Sequence, residues 1–190
     1  MIKKILGAML PINILKMLMN YKILSSDFGQ WKSMKSNMCI DAHNKPIPWY
    51  TYPATEYLIQ IDFKDKSVFE YGSGNSSIFW AGRAKDVVSV EDNREWFEIV
   101  HKHKSGNQQI ILEEDRNNYI SYILKMGRQF DVVIVDGKYR HECAKNAVKC
   151  LKDEGMIILD NSDWYHKAKS FLRQQDLIEV DFCGFGPITN

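Results

Sequence analysis

Val68-Phe-Glu-Tyr-Gly-Ser-Gly-Asn-Ser-Ser77 decides the fold of this chain. Four residues of mostly apolar, aromatic character run into two glycines one residue apart, and a helical pattern follows from Asn75 to Arg83. A strand that ends in a glycine loop and opens a helix brings backbone close to a ligand, and it turns the free amides of the helix start toward that ligand. Gly72 and Gly74 supply the close approach, and Ser76 stands where a further glycine is common in such loops. Glu70, two residues before Gly72, is a carboxylate able to hold a cationic amino group.

Working outward, strands and helices of about ten residues alternate. Asp86–Glu91, Gln109–Leu112, Phe130–Asp136 and Gly155–Asp160 read as strands, with Ile178–Phe182 as a sixth. Helices are expected at Arg94–His103, Tyr119–Met126, His141–Leu151 and Asp163–Arg173, with Gly155 as the stop before the fifth strand. Alternation of this kind implies βαβ units, and strands apolar on both faces imply helices on both sides of a mostly parallel sheet. The expectation is a Rossmann-like α/β domain over residues 46–190, preceded by a helical extension over residues 1–45. In such sheets ligands sit beyond the carboxyl ends of the strands, where strand order reverses.

Polar residues cluster at those ends. Glu91 closes the second strand 19 residues after Gly72, the place from which a carboxylate accepts ribose hydroxyls. Asp136 closes the fourth strand, and Asp160 and Asn161 close the fifth. Two carboxylates and an amide oxygen are hard ligands suited to Mg²⁺. The alternative is that they cap loops and the start of the next helix. Tyr139, His141 and His166 are candidate proton acceptors, histidine being the better base near neutrality. Tyr50 and Tyr52 either line an acceptor pocket or pack the extension onto the domain.

The ordered set FEYGSGNSS, VVSVEDN, FDVVIVDG and GMIILDNSD resembles the motifs of class I S-adenosylmethionine (SAM)-dependent methyltransferases. The likeness runs from about Trp49 to Gly186. It is also similar to small bacterial methyltransferases that begin with a Pro-Trp-x-Thr-Tyr-Pro-Ala segment, here Pro48 to Ala54. The resemblance implies that Glu70, Gly72, Gly74 and Ser76 meet the methionine part of SAM, that Glu91 meets its ribose, and that Glu113 or Glu114 approaches its adenine. It implies a cofactor and catalytic role for Asp136, with His141 or Tyr139 assisting, and likens Asp136, Asp160 and Asn161 to the metal site of catechol-type O-methyltransferases. The expected activity is methyl transfer to oxygen or nitrogen of a small-molecule acceptor in the cytoplasm. The antiparallel strand that closes the class sheet would begin where the chain stops at Asn190, so the expected sheet lacks it. Two rivals are a nicotinamide-dependent oxidoreductase, whose third glycine would fall at Ser77, and a binding module of this fold without catalysis.

The formal net charge of +1 leaves no strong field for DNA or RNA, and no nucleic-acid partner is expected. Four cysteines without a CxxC pair are expected to be buried free thiols. The N-terminal run MIKKILGAMLPINILKMLMNYK is apolar but interrupted by Pro11 and Asn13, too short to span a bilayer. It is expected to form an amphipathic helix that packs on the domain or a second subunit rather than on a membrane surface. The open sheet edge is a further site for self-association.

Overall fold

The computed structural model describes residues 11–188. Five parallel strands form one sheet: β1 (Ser67–Tyr71), β2 (Asp86–Glu91), β3 (Gln108–Leu112), β4 (Phe130–Val135) and β5 (Leu151–Leu159), in the order β3-β2-β1-β4-β5. The chain first fills one side of β1 and then crosses to the other, so strand order reverses at the carboxyl end of β1.

Helices cover both faces. Ahead of the sheet come α1 (Ile12–Lys22), a π-helical turn (Ile23–Asp27), α2 (Gln30–Ser36) and α3 (Tyr52–Ile59). Between and after the strands come α4 (Asn75–Ala81), α5 (Arg94–His101), α6 (Arg116–Lys125), α7 (Arg140–Lys149) and α8 (His166–Leu172). Alternate strand residues divide between two cores, as the period of two requires. Val68, Val87, Val132 and Ile134 pack with Phe79 and Trp80 of α4, Leu58 of α3 and Tyr50. Phe69, Tyr71, Val88, Val90, Val133 and Val135 pack with Tyr119 and Ile123 of α6 and Cys143 and Ala147 of α7.

Several expectations change. Ile178–Phe182 forms no strand. Glu179 and Asp181 pair with Arg173 and Lys169 of α8, which anchors the segment through its acids and leaves Ile178 97% exposed. Gly155 does not stop α7, which ends at Lys149. It lies inside β5, at a bulge where Phe130 pairs with Leu151 but Val132 pairs with Met156. A Cβ there would lie 2.8 Å from the Lys152 carbonyl oxygen, so the bulge requires glycine. Cys39, Cys143 and Cys150 are buried, but Cys183 is exposed.

The extension departs furthest from expectation. The first ten residues of the apolar N-terminal run lie outside the described residues. In α1 no residue is buried, so this helix does not pack into the domain. The chain becomes anchored only beyond it, where Leu24 and Phe28 reach the core. Gln30 donates to the Gly186 carbonyl and Tyr52 N–H donates to that of Phe185, so the C-terminal tail runs back over the extension.

Candidate functional site

The glycine loop leaves β1 beside the loop that leaves β4. Gly72 holds φ +95°, a conformation that favours glycine, and its N–H donates to the Val90 carbonyl of β2 at 2.8 Å. A Cβ on Gly137, after β4, would lie 1.9 Å from the Tyr119 hydroxyl and 3.0 Å from the Gly72 nitrogen. The two loops therefore meet glycine against glycine.

Glu70 supports this loop from beneath. It is fully buried, and its carboxylate accepts from Ser76 (2.5 Å), Ser77 and Ser89 (3.0 Å). Ser77 in turn accepts the Gly74 N–H at 3.0 Å. Burial pushes the Glu70 carboxyl up to about 7, against the pull of the three hydroxyls. Glu70 and Ser76 thus face each other within the protein, and the hydroxyls occupy the carboxylate that was expected to hold a ligand's amino group. Ser77 occupies the position of the nicotinamide-type third glycine, and its hydroxyl is committed to this network.

Glu91 closes β2 beside the same loop. It accepts Ser73 Oγ at 2.9 Å and the N–H groups of Asp92 and Asn93 at 3.1 and 3.0 Å. Burial raises its carboxyl above the usual range. Glu113, at the end of β3, donates its N–H to the Glu91 carbonyl, while Glu114 turns outward to Arg94. Trp96 of α5 donates its indole N–H to the Ser73 carbonyl at 2.6 Å and would lie 3.7 Å from a Cβ placed on Gly74. Lys138 pairs with Asp92 at 2.6 Å, joining the β4 loop to the β2 loop across the end of β1. Tyr139 holds φ +54° with its ring 6.1 Å from Tyr119 and 4.9 Å from the Arg116 guanidinium carbon.

Asp136, Asp160 and Asn161 converge, but on a guanidinium. Arg140, nearly buried, donates to Asp136 Oδ1 at 2.9 Å, to Asn161 Oδ1 at 3.1 Å and to the Asp160 carbonyl, and lies 3.7 Å from the Asp160 carboxylate. Its carbon sits 4.3 Å from the Tyr165 ring centroid. The arginine supplies the positive charge that the Mg²⁺ reading assigned to a metal, and among the described residues no cluster of three His, Cys, Asp or Glu side chains could hold one. Burial and the neighbouring Asp160 push Asp136 upward.

His141 does not share this centre. It stacks edge-on against Phe171 at 6.1 Å and lines a groove of about 420 Å³ between α7 and α8, with His166 on the opposite wall. Tyr50 and Tyr52 are buried, their hydroxyls without hydrogen-bond partners among the described residues.

Sequence reasoning missed Arg140, Trp96 and Ser89. Ser89 was visible as a polar residue in the middle of an apolar strand, which requires a buried partner. Arg140 was visible as a cation four residues beyond Asp136, at the start of the next helix. Trp96 carried no such signal.

No family model matches the chain, and no curated protein does. The fold is shared with methyltransferase-like proteins. A methyltransferase-like protein from Silicibacter pomeroyi aligns over 67% of this chain and 81% of its own at 20% identity, TM-score 0.50. A precorrin 8w decarboxylase from Methanobacterium thermoautotrophicum aligns over 73% and 77% at 18% identity, TM-score 0.54. An rRNA methylase from Streptococcus thermophilus aligns over 66% and 79% at 16% identity, TM-score 0.49. The expectation of no nucleic-acid partner is withdrawn, because it rested on net charge alone. Net charge is a whole-molecule sum and does not exclude a local basic surface.

Proposed function

We propose that this chain transfers a methyl group from SAM to a small-molecule acceptor, at oxygen or nitrogen. The observation that carries the reading is the glycine loop at the reversal point of a parallel sheet with the Glu91 carboxylate beside it. The loop fits such a ligand: Gly72 adopts a backbone that side chains disfavour, and Trp96 is tied to the loop through the Ser73 carbonyl. The bound cofactor supplies an electrophilic methyl group on a sulfonium.

The chain's own residues bind and orient. Glu91 retains acceptor capacity beyond its three bonds and would take ribose hydroxyls. Glu70 holds the loop through Ser76 and Ser77, so its part is to position Gly72 and Gly74. Asp136, fixed by Arg140, presents a carboxyl at the end of β4 where acceptor and methyl group would meet, and alignment there is the main source of rate. Tyr139 borders the same loop. His141, facing the groove between α7 and α8, is the weaker candidate for moving a proton.

Isothermal titration tests this. SAM or S-adenosylhomocysteine should bind at micromolar levels, about −8 kcal/mol. Glu91→Ala should lose roughly 1–3 kcal/mol, tenfold to a hundredfold in affinity. Binding of NADH with no response to SAM would overturn the reading.

A further inference from the structure

The largest concentration of exposed apolar side chains lies in the extension. Ile12, Met17 and Met19 are 69%, 65% and 64% exposed, and Leu18, Tyr21 and Ile23 are exposed with them. Asn13, Lys16 and Asn20 recur at spacings of three and four and so share one side of α1, leaving an apolar arc over the rest that Lys22 interrupts only at the last turn. The display continues in and after α2, where Trp31, Met34 and Met38 are exposed. Tyr21 and Trp31 border one hollow of about 400 Å³ together with Lys32. An apolar display of this size on a folded chain marks an interaction surface.

Charge identifies the partner. Residues 1–40 hold six lysines, no arginine and one carboxylate, Asp27. The remaining 150 residues hold 19 cations and 23 carboxylates. The near-neutral chain is therefore a basic extension joined to an acidic domain. Extension packed against extension in a second copy would bring like charges together. A nucleic acid would match the lysines but leave the methionines, isoleucine and leucine of α1 in water. A bilayer with anionic headgroups matches both, with the apolar arc in the acyl boundary, the lysines among the phosphates, and Tyr21 and Trp31 at the interface, where aromatic residues concentrate. Among the described residues no helix is long and apolar enough to cross a membrane, so the contact is with its surface.

We infer that α1 and α2 form a docking surface for an anionic lipid bilayer. Co-sedimentation of the full chain with phosphatidylcholine vesicles, with and without phosphatidylglycerol, tests it. The chain should pellet with the anionic vesicles and be released as salt screens the lysines. The double variant Met17→Asp, Leu18→Asp should weaken binding roughly tenfold or more, and Lys16→Glu, Lys22→Glu should abolish the preference for phosphatidylglycerol. Both should melt where the parent does, because α1 buries no side chain. The inference is overturned by failure to pellet, by equal binding to neutral vesicles, or by indifference to the aspartates. It is also overturned if the lysines serve only to retain a single-stranded RNA, or if the apolar arc serves only a concentration-dependent dimer. Because neither vesicle arm involves SAM, the result stands apart from the proposed methyl transfer.

Discussion

Glu70 lies fully buried with three hydroxyls around it and a carboxyl raised to about 7. A carboxyl that holds its proton more tightly when folded than when unfolded stabilises the fold at low pH. That contribution declines as pH rises from about 4.5, the ordinary value, to about 7, and stays lost above. The swing is about 3 kcal/mol, taking 1.36 kcal/mol for each pH unit. Urea midpoints measured across this window should fall more steeply for the parent than for Glu70→Gln, and equal slopes would show that Glu70 titrates normally. Gly137 sets a second test. Gly137→Ala drives a methyl group into the Tyr119 hydroxyl and should cost about 1–3 kcal/mol in urea unfolding. Tyr119→Phe removes a buried hydroxyl without a partner, so alone it should cost little and combined with Gly137→Ala it should restore part of the loss. Additive losses would mean that the backbone contacts with Gly72 and Tyr71 dominate instead.

The ends of β4 and β5 are tied to the start of α7 by one side chain, Arg140. Arg140→Met would leave the partly buried Asp136 and Asp160 without their cation, a loss of roughly 1.5–3 kcal/mol for the charged hydrogen bonds removed. Since the guanidinium already supplies the charge, EDTA should leave the melting temperature unchanged, and a chelator-induced drop would restore the metal reading. Elements with a strong period were legible in the sequence: the strands at Val68, Val87 and Val132 and the helices after them follow from alternation and loop chemistry. Ile178–Phe182 misled because its alternation was sound, yet no strand edge receives it and its acids are drawn to Lys169 and Arg173. Gly155 misled because glycine marks a bulge as readily as a helix end. The carboxylates of the site were legible by position. Their partners were not, since Arg140 reaches Asp160 and Asn161, and Ser89 reaches Glu70, only once the strands lie side by side.

Across the whole molecule, near-zero net charge concealed a division between a basic extension and an acidic domain, and a sum over the chain was the wrong quantity to read. The N-terminal helix was legible from its periodicity, but its partner was not, because an apolar arc looks the same whether protein or lipid covers it. One contact joins the two halves at the site. Asn75, the first residue of α4, donates its side-chain amide to the Cys39 carbonyl at 2.8 Å. A ligand gripping the glycine loop and a surface gripping the extension would pull on opposite ends of that bond. Free-energy coupling is reciprocal: whatever factor the bilayer lends to affinity at the loop, occupancy of the loop returns to affinity for the bilayer.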